Sequence, residues 1–286
     1  MKKYVMYMLM FPAFLAISGC PVPPTPPTPE DPWYWKDPVT KTECYLYIPE
    51  KYHHNKPMKV IVSCHGTPPF DVAEHHIRTW KYYGERYGCI IICPTMQGTD
   101  GVLGDGPVLA MLENERNILS ILSTLSYQYN IDRNNIMITG FSGGGFPAYW
   151  VGLRHPEIFS VIVPQNCNFN RNNVDGWYPA DATTVPFLIY YGEYDPAPII
   201  VQSENAIKYL REKGFSVKTE IIPGAGHDRH PEIAMEFFRK HWRTPAGTAN
   251  QITPNGNRNT PTRMSPSTGS RTDDTDRLGG PRPPAY

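Results

Sequence analysis

Between residues 33 and 242 short apolar runs alternate with longer stretches whose apolar residues recur every three or four positions. The runs at 43–49 (ECYLYIP), 59–64 (KVIVSC), 89–93 (CIIIC), 136–138, 160–164 (SVIVP), 186–191 (PFLIYY) and 217–222 (VKTEII) predict strands. KVIVSC carries little polar interruption, as a strand buried on both faces requires. Helical spacing places Ala73, Ile77, Trp80 and Tyr87 on one face over 72–87. It does the same for Ile118, Ile121, Leu122, Leu125 and Tyr129 over 109–129. A last helix, from Pro231, carries Ile233, Phe237, Phe238 and Trp242. Between the last two strands another helix is expected, opened by Ser203 as N-cap and closed by Gly214. Strands and helices alternating in this way predict an α/β fold: a mostly parallel sheet, right-handed crossovers and helices on both faces.

The two ends break this pattern. Lys2 and Lys3 precede an apolar run over 4–17, which ends in Ile17-Ser18-Gly19-Cys20. That ending resembles the lipobox of bacterial lipoproteins. The resemblance implies a signal peptide at 1–19, a lipid-modified Cys20 as mature N-terminus, and an exported protein held on the periplasmic side or at the cell surface. The apolar run is too short to make a good membrane span, so the lipid chains would be the membrane contact. Residues 20–32 read as a stiff polyproline linker (PVPPTPPTPEDP from Pro21), 33–243 as the folded α/β domain, and 244–286 as a disordered tail. Lys plus Arg (27) equals Asp plus Glu (27), so there is no basic field for a nucleic-acid partner. Cys44, Cys64, Cys89, Cys93 and Cys167 remain besides Cys20. Export permits disulfides, yet three of them sit in or beside apolar strand runs, which favours buried free thiols; the pairing stays open.

The candidate chemistry centres on 135–150 (NIMITGFSGGGFPAYW), where Gly140-Phe141-Ser142-Gly143-Gly144 spells G-x-S-x-G between an apolar strand and a helix. A strand turning at once into a helix strains the serine backbone and brings main chain against main chain, so glycines are needed around it. The turn would present Ser142 Oγ beside the free N–H groups of a helix start. A serine needs a base, and the base needs an orienting carboxylate. The carboxyl ends of later strands supply Asp195 in Gly192-Glu193-Tyr194-Asp195-Pro196 and His227 in Gly224-Ala225-Gly226-His227, with Glu193 and His230 as rivals.

Elbow, acid and histidine in this chain order resemble the α/β-hydrolase superfamily. The resemblance implies Ser142 as nucleophile, Asp195 as acid and His227 as base, with Gly140 and Gly144 shaping the nucleophile elbow. Members commonly place an oxyanion donor after His-Gly; here that is His65-Gly66-Thr67, so the N–H groups of Thr67 and Gly143 would hold the oxyanion. The motifs look most like secreted feruloyl-esterase and poly(3-hydroxybutyrate)-depolymerase-type esterases. The expected activity is hydrolysis of carboxylic esters through an acyl-enzyme, without cofactor or metal and without a large lid, on a small or polymeric ester. A peptidase of the same fold, or a lipid-anchored binding protein on a hydrolase scaffold, is the alternative. His65 is expected to shape the oxyanion loop, with a lesser substrate-binding role. Phe169, Trp177 and Tyr178 either stack on substrate or pack their loop. The pairs His53-His54 and His75-His76 cannot grip one metal as i, i+4 pairs can, and read as surface residues. Asp100 and Asp105 read as a solvated turn.

Overall fold

The computed structural model describes residues 33–101 and 105–244. The expectations for 1–32, Cys20 included, and for the tail from 245 onward lie outside these residues. An eight-stranded sheet runs through the domain in the order β1-β2-β4-β3-β5-β6-β7-β8. Its strands are β1 Trp33–Lys36, β2 Glu43–Tyr47, β3 Met58–Cys64, β4 Cys89–Pro94, β5 Ile131–Ser142, β6 Val161–Cys167, β7 Phe187–Gly192 and β8 Val217–Ile222. β1 pairs antiparallel with β2 and β2 antiparallel with β4, and from β4 to β8 in the sheet order every neighbouring pair is parallel.

Helices α1 Ala73–Tyr87, α2 Val108–Gln128, α3 Gly145–Arg154, the single turn α4 Arg171–Val174, α5 Ala197–Glu212 and α6 Pro231–Lys240 connect them. Alternation along the strands feeds two cores. Ile136 and Ile138 of β5 join Ile118 and Leu125 of α2, Tyr149 and Trp150 of α3, and Tyr209 of α5 on one face. Met137, between them, joins Ile77 and Trp80 of α1 and Phe237 and Phe238 of α6 on the other. The five described cysteines are free and buried. No helix among the described residues is long and apolar enough to cross a membrane.

Four elements differ from the sequence pattern. Strand β1 was not expected, because buried Trp35 sits between exposed Tyr34 and Lys36. Strands β5 and β6 run well past their apolar centres, β6 through Pro164, Gln165 and Asn166 to Cys167. Helix α5 opens at Ala197 directly after Pro196, with Pro198 in its first turn, and Ser203 is a buried mid-helix residue rather than an N-cap. Proline presets the helical φ and lacks an N–H that the first turn does not need, so the helix begins five residues after β7 ends at Gly192. That early start sets Asp195 immediately ahead of the helix.

Candidate active site

Strand β5 ends at Ser142 with φ 53°, and α3 begins three residues later. A positive φ on a non-glycine residue is costly and persists only where its surroundings impose it. They do so here by close main-chain contact. A Cβ on Gly143 would lie 1.7 Å from Thr99 O, and one on Gly140 would lie 2.3 Å from Gly144 O. At Gly144 the obstacle is Cys64 O, 2.2 Å from a Cβ. The corner is closed by Gly144 N–H donating to Phe141 O (2.9 Å) and Asn168 N–H donating to Ser142 O (2.9 Å).

Two later strands bring the acid and the histidine together. His227 Nδ1 donates to Asp195 Oδ1 at 2.6 Å. The Asp195 side chain is wholly buried, whereas His227 keeps 30% of its side-chain surface. Asn166 Nδ2 donates to the second Asp195 oxygen at 2.6 Å, so both carboxylate oxygens are occupied. The imidazole rests on the ring of Phe141, the residue before the elbow serine, 4.6 Å between centroids. Of the rivals, exposed Glu193 takes the Gly224 N–H (2.9 Å), bracing the turn after β8. His230 Nδ1 pairs with Glu232 at 3.1 Å. Neither meets the His227–Asp195 pair through these bonds. Asn166 was not anticipated from sequence; its signal is a polar residue at a strand's carboxyl end, and its φ of 50° shows only in the fold.

After β3, the loop from His65 to Asp71 packs against the elbow, and a Cβ on Gly66 would lie 3.0 Å from Ser142 Cβ. Asp71 turns back to accept Gly66 N–H at 2.7 Å and His76 Nε2–H at 2.8 Å. Arg229, two residues after His227, donates to the other Asp71 oxygen. Ser63 Oγ lies 2.7 Å from His76 Nδ1. Burial alone would raise the Asp71 pKa, but His76, Arg229 and the Gly66 N–H hold it well below the usual carboxylate range. Burial lowers that of His76 against the pull of Asp71. A neutral His76 that donates from Nε2 must accept at Nδ1, so the Ser63 hydroxyl donates to it. His76 is therefore not a surface residue: α1 turns it fully inward, while adjacent His75 stays partly exposed.

His65 is corrected as a substrate-binding residue. It is 1% exposed, accepts Met96 N–H at Nε2 (2.9 Å) and donates from Nδ1 to Gly66 O (2.8 Å). Burial lowers its pKa to about 4, so it is neutral at neutral pH and serves to hold the loop. In the aromatic loop the three rings differ in burial. Phe169 is buried against Tyr149 and Tyr209. Trp177 stacks at a tilt on Trp150 (5.9 Å), and Tyr178 OH meets Tyr209 OH (3.2 Å). Trp177 and Tyr178 line a small recess with Trp150, Leu153 and Arg154, at the far end of α3 from Ser142. At about 1.5 Å per residue that end lies on the order of 12–18 Å along the helix from the serine. Phe169 and Tyr178 pack the loop, while Trp177 stays 51% exposed. Among the described residues no group of three His, Cys, Asp or Glu could hold a metal.

Residues 112–245 match the phospholipase/carboxylesterase family model, which spans the elbow, Asp195 and His227. No curated protein matches the chain. Solved structures show the fold. A thermostable esterase is 22% identical at TM-score 0.55, with 74% of this chain and 63% of that one covered. A ferulic acid esterase from Anaeromyces mucronatus is 16% identical at TM-score 0.55, covering 74% and 88%. A fluorophosphonate-binding serine hydrolase of Staphylococcus aureus is 16% identical at TM-score 0.56, covering 73% and 97%. The chain thus spans less than two thirds of the thermostable esterase's length. A mostly parallel sheet with a serine at its β5 elbow, these structural likenesses and the family match over 112–245 agree on one architecture: the chain has the α/β-hydrolase fold.

Proposed function

We propose that the protein hydrolyses carboxylic acyl esters through Ser142, His227 and Asp195. The observation that carries this is the short His227–Asp195 hydrogen bond, formed over a buried carboxylate beside an elbow serine at positive φ. With Nδ1–H given to Asp195, neutral His227 keeps Nε2 as a base. It takes the Ser142 proton as Oγ bonds to the ester carbonyl carbon, and the carbonyl π pair moves onto oxygen. The N–H groups of Gly143 and Thr67 hold that oxyanion; losing one such donor costs about 3 kcal/mol. Collapse breaks the C–O bond, and the alcohol leaves with the proton from His227. Water repeats the sequence on the acyl-enzyme, releasing the acid and restoring the serine.

The test is labelling of the full chain with a fluorophosphonate, followed by mapping of the adduct and assay on short p-nitrophenyl esters. The adduct is expected on Ser142, and Ser142→Ala is expected to lose both labelling and hydrolysis. Hydrolysis by Ser142→Ala at the wild-type rate would falsify the proposal. Faster cleavage of amides than of matched esters would transfer it to a peptidase. The resemblance at Ile17–Cys20 supports a second arrangement around this domain: a signal peptide, a lipid anchor on Cys20, a spacer and a tail. Incorporation of a fatty-acid analogue by the wild type and its loss in Cys20→Ala tests the anchor.

A further inference from the structure

Arg229 has no part in the proton transfers above, yet it touches each side of the site. One guanidinium nitrogen donates to Asp71, whose other carboxylate oxygen holds Gly66 N–H, the peptide just before the proposed Thr67 donor. Its Nη1 reaches Thr79 Oγ1 on α1 at 3.3 Å. The guanidinium carbon lies 5.2 Å from the Phe141 ring centre. On that ring rests the His227 imidazole, and Phe141 itself precedes Ser142. Arg229 also follows His227 by two residues in the chain, so its anchoring fixes the loop that carries the base.

We propose that Arg229 is a positioning residue that locks the His227 loop to the oxyanion loop, through Asp71 on one side and Phe141 on the other. The inference rests on the triad reading and deepens it. Arginine suits the task because one planar group forms directional bonds at its edge while its face lies on an aromatic ring. The Asp71 carboxylate is wedged between His76, Gly66 and Arg229, so it transmits a displacement of one loop to the other. Ser63 and His76 back Asp71 from the interior, which accounts for a Ser-His-Asp chain that substrate cannot reach.

The experiment measures kcat per titrated serine, KM and the presteady burst for the full chain as wild type, Arg229→Met, Arg229→Lys and Phe141→Leu. Small misplacements of catalytic groups cost about ten- to a hundredfold in rate. Arg229→Met is expected to lose that much in kcat and in burst rate, with KM within about threefold, because the contact orients groups rather than holds substrate. Arg229→Lys is expected to recover part of the loss, keeping the charge without the fork. Phe141→Leu is expected to lose kcat in the same sense. Wild-type kcat per titrated serine in Arg229→Met overturns the proposal even if that variant melts earlier. If Arg229→Met does not fold, Arg229→Lys decides: a several-fold lower kcat supports the coupling, and an unchanged kcat ends it. Ser142→Ala separates the two readings. An active Ser142→Ala removes the triad itself, whereas an inactive one beside a fully active Arg229 variant removes only the coupling.

Discussion

Two sets of serine, histidine and aspartate lie in this molecule; each holds a histidine–aspartate hydrogen bond, and they are placed differently. In Ser63–His76–Asp71 every member is buried, the hydroxyl is already bonded to the imidazole, and a positive guanidinium closes the far side of the carboxylate. In Ser142–His227–Asp195 only the carboxylate is sealed; the histidine keeps part of its surface, and the serine stands at a strained corner. Connectivity of hydrogen bonds therefore does not make a nucleophile. In the function proposed above, access, backbone geometry and nearby N–H donors separate the nucleophilic serine from one that stiffens a wall.

Replacing the acid in each set gives the sharpest test of this contrast. Asp195→Asn should lower kcat by about 10⁴-fold while the fold persists, since an amide cannot hold the imidazole in the required tautomer. Asp71→Asn should act first on stability, by about 3 kcal/mol in urea unfolding, because Arg229 loses its buried partner. Equal rate losses for the two variants would erase the distinction drawn here. A smaller effect should come from Asn166→Ala. It removes the donor to the second Asp195 oxygen and should cost about tenfold in kcat, the worth of one hydrogen bond to a charged group. Wild-type turnover in that variant would show that His227 alone holds the carboxylate.

The smallest effect lies away from both sets, where α2 meets α3. Glu115 accepts from Trp150 Nε1 (2.7 Å) and Arg154 Nε (2.9 Å) and pairs with His155 Nε2 (2.8 Å). Burial would lower the His155 pKa, but Glu115 and Glu157 raise it. Burial would raise that of Glu115, but His155, Trp150 and Arg154 lower it. The histidine's contribution is complete below its ordinary pKa and is lost as pH rises through the raised value. The glutamate's is present above its ordinary pKa and is lost as pH falls through the lowered one. Both are therefore whole between about pH 4.5 and 6.5, the ordinary values of the two groups. Urea unfolding should show about 1 kcal/mol less stability on either side of that window, and Glu115→Gln should flatten the profile. A pH profile identical to wild type in that variant would assign the dependence to other groups.

How much of this was legible beforehand depended on the range of the interaction. Apolar periodicity located seven of the eight strands, since each run alternates faces or fills a buried strand by local rule. It missed β1, where one buried tryptophan among exposed neighbours makes no pattern, and it misplaced the start of α5, where Pro196 and Pro198 outweigh a serine cap. The elbow glycines were readable because steric exclusion at a strand–helix turn leaves few residue choices. His76 was misread because adjacent residues on a helix face directions about 100° apart, and only packing against β3 chose which of the pair went inward.

By itself, then, the order of residues determined which segments become strand or helix and which serine stands between them, because those follow from contacts within a few positions. Tertiary structure alone decided that Asn166 would meet Asp195 across 29 positions and that Arg229 would meet Asp71 across 158. It also decided which of two Ser-His-Asp sets would keep solvent at its histidine. The physical reason is that such pairings arise where strand ends converge, and neither propensity nor periodicity carries any record of that distance.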